Sequence, residues 1–183
     1  MMAHQYSSSY LEDSLTVFTQ YKRLAEKAIE QATDEELQAV LDPEMNSIAQ
    51  TVKHMAGNMR SRWTDFLTTD GEKPDRNRDS EFIDPPATRE ALTGVWEEGW
   101  KRVFEALQPL SDADLTRTVQ IRGEPHSVMQ AINRQIAHYA YHCGQIVMLA
   151  KHFRHQNWRS LSVPRGQSAS FNRRVAAGEA SQR

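Results

Sequence analysis

Cysteine is almost missing from this 183-residue chain: Cys143 stands alone. No internal disulfide is therefore available, and a reducing compartment suits the composition. Long apolar runs are missing as well. None approaches the roughly 20 residues a bilayer crossing needs, so no membrane association is expected. Neither charge dominates, with 22 Lys+Arg against 24 Asp+Glu for a formal net charge of -2. That balance lacks the basic field a nucleic-acid partner would require, and Arg173 and Arg174 are too few to make a patch. The opening stretch, MMAHQYSSSYLEDS, has no basic leader and no apolar core, so no signal peptide is expected and the cytoplasm is the expected location. Phosphate-binding loops, dinucleotide fingerprints, Ser/His/Asp arrangements, internal repeats and low-complexity blocks are absent too.

What the chain does have is helical periodicity. Hydrophobic residues make up 39% and charged residues 25%, the balance of a globular protein with enough length for one core. Residues 1–183 read as one domain, fraying from about residue 174. The first helix carries Leu11, Leu15, Phe18, Ala25 and Ile29 on one stripe, with serines 7 to 9 as candidate caps. Thr33 and Glu36 form a capping box for a short helical turn. A second long helix starts at Ser47, boxed with Gln50, and runs to about Leu67 through Val52, Met55, Met59 and Trp63. A third starts near Thr88 and buries Leu92, Trp96, Trp100, Val103 and Leu107. The fourth starts at Ser127, boxed with Gln130, and runs to about Arg154 through Ile132, Tyr139, Cys143 and Ile146. Four long amphipathic stripes bury one another, which predicts an all-α four-helix bundle.

The connections differ in kind. DGEKPDRNRDSEFIDPPA, between the second and third helices, is charged, proline-punctuated and without period. A loop of that length in a small domain is usually functional or disordered. TRTVQIRGEPHS reads as a short extended piece and a turn at Gly123 and Pro125. After the fourth helix an irregular tail spaces Trp158, Leu161, Val163 and Phe171 along an extended path. Burial of those side chains is expected, with the tail packing over the loop from Asp70 to Pro86. Twofold pairing through helix faces makes a homodimer the expected assembly.

His138 and His142 are four residues apart, so on a helix their side chains leave one face about 5–6 Å apart. That spacing suits two imidazoles converging on one ion. They lie on the flank of the apolar stripe, with Ala131, Gln135, Gln145 and Leu149 above and below. His54 occupies a similar flank of the second helix, in the row Ser47, Thr51, His54, Asn58 and Arg62. Where the two flanks face each other, three imidazoles meet and leave a coordination position open. An HxxxH pair also arises by chance on a solvated face, and the row holding His54 could be such a face. His4, His126, His152 and His155 look like terminus, turn and helix-end residues. Cys143 falls on the apolar stripe and reads as a small buried thiol.

The runs SIAQTVKHMAGNMRSRW and HYAYHCGQI together resemble the DinB/YfiT-like superfamily of four-helix-bundle metalloproteins. In that superfamily one histidine of the second helix and an HxxxH pair of the fourth form the metal site. The resemblance implies His54, His138 and His142 as ligands, and their separation of 84 residues (138 minus 54) fits that layout. GNMRSRWTDFLTTDGEKPDRNRDSEF and the tail WRSLSVPRGQSASFN are similar to a domain-of-unknown-function branch. The superfamily includes thiol-dependent transferases and isomerases, and hydrolases. What this implies is a metal-dependent enzyme that activates water or a thiol, with a small-molecule substrate such as a low-molecular-weight thiol. The alternative is a non-catalytic bundle with a structural metal or a stress-related binding role. Nitrogen donors suit Zn²⁺ or Ni²⁺.

A metal-bound imidazole needs an acceptor for its other ring nitrogen. Gln145 lies three residues past His142, Gln135 three before His138, and Asn58 one turn beyond His54. Each amide could equally satisfy contacts between helices. Arg62, one turn further, is placed to meet an anionic substrate or to pair with the acidic loop. Glu72, Asp79 and Glu81 in that loop are candidate acids or bases, though a solvated charge run explains them as well. The His138→Ala, His142→Ala double variant should lose the ion that the wild type holds at one equivalent, measured by elemental analysis of the purified proteins. A double variant that retains a full equivalent disproves the ligand assignment.

Overall fold

The helix starts follow from local hydrogen bonding. Ser9, Ser47, Thr88 and Ser127 each accept a backbone N–H three residues on, from Glu12, Gln50, Ala91 and Gln130. Each such cap is worth about 1 kcal/mol over alanine. The computed structural model describes residues 8–181; His4 and Ser7 lie outside them. Behind the caps run α1 (Tyr10–Gln31), the short α2 (Asp34–Gln38), α3 (Ile48–Trp63), α4 (Arg89–Leu107) and α5 (Val128–Arg154). Helix α3 packs chiefly on α4 and α1 on α5, and α3 also meets α5. The result is the expected all-α bundle, and no helix among the described residues is long and apolar enough to cross a membrane.

One aromatic cluster ties all four long helices together. Phe18 of α1 is fully buried and meets Trp63 of α3 edge-on at 6.0 Å between ring centroids, and Trp100 of α4 at 6.1 Å. It also packs against Tyr139 of α5 at 5.8 Å. Two of its three polar groups are paired: Trp63 Nε1–H donates to the Tyr139 hydroxyl at 2.9 Å, which donates to Asn58 Oδ1 at 3.1 Å, while Trp100 Nε1–H has no hydrogen-bond partner among the described residues. Burying Trp63 and Tyr139 therefore leaves neither of their donors unpaired.

The extended piece before α5 is a two-stranded antiparallel hairpin, β1 (Thr118–Ile121) and β2 (Glu124–Ser127). Its two-residue turn puts both Arg122 (φ 58°) and Gly123 (φ 75°) in the left-handed region, as a type I′ turn requires. Asp70 fastens the turn to the long loop, accepting from the N–H groups of Arg122 (2.8 Å) and Gly123 (2.7 Å).

Three expectations need correction. Helix α3 ends at Trp63 rather than near Leu67, because Asp65 turns the chain at φ 49° and its carbonyl takes the N–H groups of Thr68 and Thr69. The tail is not irregular throughout: α6 (Ser168–Ala176) closes it and includes Arg174, where fraying was expected to begin. Nor does any hydrogen bond or ion pair among the described residues tie the tail to the loop at Asp70–Pro86. Arg154 lies twelve residues beyond His142, about 18 Å along the helix, so α5 delivers the tail to the end of α1. There Gln31 exchanges two hydrogen bonds with the Arg159 backbone, at 2.8 and 3.0 Å, while Trp158 and Leu161 pack half-buried at the core edge. Phe171 and Val163 are likewise only half-buried.

Phe18→Ala should therefore cost about 3–5 kcal/mol, the range for emptying a packed aromatic site. Truncation after His155 should cost less, about 1–2 kcal/mol, because it uncovers only half-buried side chains. Urea denaturation of the two variants checks the order, and a truncation as damaging as Phe18→Ala would contradict it.

Candidate metal centre

Helices α3 and α5 bring His54, His138 and His142 to one point. His138 Nε2 lies 3.4 Å from His54 Nε2 and 3.2 Å from His142 Nε2. Among the described residues this is the group of histidine, cysteine and carboxylate donors able to surround one ion. Each ring turns its other nitrogen away from the cluster and onto an acceptor. His54 Nδ1–H donates to Glu81 Oε2 at 2.8 Å, and His142 Nδ1–H to Gln145 Oε1 at 2.8 Å. His138 Nδ1 faces Gln135 Oε1 at a longer 3.4 Å. A carboxylate only accepts, so the proton of His54 sits on Nδ1 and its Nε2 presents a lone pair.

Three lone pairs turned toward one another suit a cation. A tetrahedral ion with Zn–N bonds of about 2.0–2.1 Å spaces its donors about 3.3 Å apart, close to both separations found here. Burial, and after it the neighbouring imidazoles, pushes His138 down to about 3. Burial likewise pushes His142 down to about 4, against the hydrogen bond to Gln145. Both rings are thus neutral at neutral pH, the state that ligates. The residues fit a divalent ion.

Glu81 was legible only as one candidate among the acids of the loop, and its role here is to orient His54. It sits in a single 3-10 turn, Asp79–Phe82, and is 5% exposed. Arg76 clamps it from behind, with Nε on Oε1 at 2.8 Å and Nη2 on Oε2 at 3.0 Å. Burial would raise the carboxyl pKa, but the hydrogen bonds from His54 and Arg76 outweigh it, holding Glu81 below the usual carboxylate range. Helix α3 fixes the turn itself: Lys53 Nζ donates to the carbonyls of Ser80 and Ile83, and Gln50 to that of Phe82. Phe82 then stacks on His54, 4.7 Å between centroids and 24° between planes.

Gly57 makes this approach possible. A Cβ at that position would lie 2.4 Å from Glu81 Oε1 and 2.7 Å from its Cδ. The carboxylate occupies the space that any larger residue on α3 would fill.

The remaining sequence candidates separate clearly. Gln145 and Gln135 face the rings they were paired with. Asn58 does not hold His54: its oxygen is taken by Tyr139, and Glu81 occupies the place expected for it. Arg62, buried on α3, pairs with Glu72 at 2.8 Å and with the Gly71 carbonyl. Asp79 is exposed, and Glu72 is occupied by arginines. Cys143 is fully buried in the core, and burial pushes its thiol up to about 12, as expected of an inert side chain. His126, His152 and His155 are not part of the cluster.

The helical bundle is similar in fold to a DinB-like protein. A crystal structure of a DinB-like protein from Bacillus cereus ATCC 10987 matches it with a TM-score of 0.62 at 19% identity, covering 78% of this chain and 91% of that one. At that identity the likeness concerns the fold. The chain belongs to the family described as protein of unknown function (DUF1572), which matches residues 5–167. No curated protein matches it.

Two substitutions probe the His54 arm. Glu81→Gln keeps an acceptor but loses the charge, and Gly57→Ala pushes the carboxylate away. Each should weaken zinc affinity about 10–100-fold, the usual effect of losing a partner behind a ligand, in a competition titration against a chelating dye. Wild-type affinity in Gly57→Ala would show that Glu81 does not depend on that space.

Proposed function

We propose that this protein is a metal-dependent enzyme whose three histidines present a divalent ion, Zn²⁺ or Ni²⁺, to a small-molecule substrate. The observation that carries the reading is the convergence of three Nε2 atoms without a fourth protein donor among the described residues. A structural site closes its coordination sphere with protein, whereas a catalytic site leaves a position free. The three rings line a cavity of about 520 Å³ together with Tyr141, Phe82 and Gln135, so the free position faces space for a ligand. The chemistry a divalent ion supplies in such a site is Lewis acidity, lowering the pKa of a bound water or thiol or polarising a carbonyl.

The chain's own residues do the rest. Glu81, Gln145 and Gln135 hold the tautomers and ring angles. Tyr141 packs against His142 at 4.3 Å and His138 at 5.2 Å, and Phe82 covers the His54 face, so aromatic rings wall the cluster. Thiol transfer and hydrolysis both fit. Of the two, thiol transfer needs less from the protein, since the thiol is itself the nucleophile and no separate base stands free at the cluster among the described residues.

Zinc- or nickel-loaded protein should accelerate the displacement of chloride from monochlorobimane, a fluorogenic electrophile, by at least one low-molecular-weight thiol. The acceleration should vanish in His142→Ala. Stripping the ion should leave helical circular dichroism intact at 25 °C, since the core does not pass through the site. Unfolding on metal removal, with no metal-dependent turnover of thiols or aryl esters, would favour a structural ion instead.

A further inference from the structure

The cavity beside the histidines has five arginines in its wall, Arg62, Arg76, Arg78, Arg122 and Arg134, and no aspartate or glutamate. Two carboxylates behind the wall answer only part of this charge. Glu72 Oε2 is shared by Arg62 (2.8 Å), Arg76 (3.2 Å) and Arg122 (3.2 Å), and Glu81 takes Arg76 again. Arg78 and Arg134 have no carboxylate partner among the described residues. Arg62, 5% exposed, keeps a buried Nε with no hydrogen-bond partner. Asp70, which feels Arg62, adds a third carboxylate, and five guanidiniums against three still leave a surplus of positive charge in one cleft, on a chain whose formal net charge is -2. A cleft with low-dielectric walls focuses that field onto whatever enters.

The placement of the charge is ordered as well. Arg78 lies over the Phe82 ring, 5.0 Å from its centroid, and Phe82 stacks on His54, so a guanidinium stands one ring away from the cluster. Arg134 is one turn before His138 on α5, and Arg62 two turns beyond His54 on α3. Both helices thus carry cations about 6 to 12 Å along their axes from the histidines. The two rows run side by side, since Asn58 meets Tyr139 and Arg62 shares a small cavity with Gln135. Tyr141 stands beside this charge, its hydroxyl feeling both Arg78 and Arg134. Planar guanidinium forks match carboxylate and phosphate oxygens better than any other side chain does.

We infer that the ligand of this cavity carries an oxyanion, carboxylate or phosphate, held by Arg78 and Arg134 with Arg62 and Arg122 beyond, about 6–12 Å from the atom it offers to the histidines. The choice of reacting end rests on the proposed function; the charge preference does not. A neutral or cationic thiol of the same length is a poor ligand, and one with an acid at its far end is a good one.

The test uses cobalt-loaded protein and four probes of equal chain length: 6-mercaptohexanoate, 6-mercaptohexyl phosphate, 6-mercaptohexanol and 6-aminohexanethiol. Calorimetry reads affinity, and the cobalt–thiolate absorption band reads sulfur on the metal. Both anionic probes should bind about tenfold or more tighter than the alcohol, the factor one charge-assisted hydrogen bond supplies, with the amine weakest. The tighter of the two anions identifies the group. In Arg78→Gln, Arg134→Gln, whose side chains are exposed so that the fold and metal content should persist, the anions should fall to the alcohol's level. Equal affinity for the charged and neutral probes, or an anion preference untouched by the double variant, overturns the inference. An anion preference without a cobalt–thiolate band leaves this inference standing and removes the thiol reading of the function.

Discussion

Three imidazoles with their Nε2 atoms aimed at one point form an arrangement that water and packing alone do not favour. Separations of 3.2 and 3.4 Å leave no proton to share once each Nδ1 carries its own. A cation turns the same geometry from repulsion into coordination, and the surroundings are built to keep the rings in it. The most demanding support is the Glu81 carboxylate. It reaches His54 from a loop 27 residues away in sequence and is itself buried between a guanidinium and an imidazole. A buried carboxylate is costly unless its oxygens are filled; here Arg76 fills one side and His54 the other.

That requirement explains features that would otherwise look unrelated. Gly57 is an unfavourable choice for a helix interior by about 1 kcal/mol against alanine, yet a methyl group there would overlap the carboxylate. Lys53 and Gln50 spend their polar ends on loop carbonyls rather than on solvent, so one face of α3 holds the loop while His54 receives it. Below this polar layer the Phe18, Trp63, Trp100 and Tyr139 cluster locks the four long helices. Stability and site are thereby separated along α3 and α5: aromatic rings in the core, imidazoles and guanidiniums toward the cavity.

Much of this was readable from the chain. Capping residues and 3.6-residue stripes place the four long helices within a few residues, because both signals are local. The histidine set was readable only in part from spacing, since HxxxH and one histidine on the flank of α3 also fit a solvated face, and the resemblance to a metalloprotein superfamily singled out the three. Glu81 stood out no more than Glu72 or Asp79, since its partner is remote and its loop has no period; the one hint is Phe82, a lone aromatic amid charges. The role first given to Asn58 failed for the same reason. Spacing along a helix finds neighbours on that helix, but it does not show that Tyr139 had already claimed the amide. Helix α6 was missed because its single apolar pair, Phe171 and Val175, is too short a stripe to read as a period. The surplus of arginines became visible only when loop, hairpin and two helices were brought together.

In the proposed function, three imidazoles hold one divalent ion, with Glu81 behind them and not on the metal. A crystal of the zinc-loaded protein, measured on both sides of the zinc absorption edge, tests it most directly. One strong anomalous peak is expected about 2.0–2.1 Å from Nε2 of His54, His138 and His142, with the Glu81 carboxylate still on His54 Nδ1. A peak bound by fewer than three of these rings, one that draws Glu81 into direct coordination, or no peak at the cluster would contradict it.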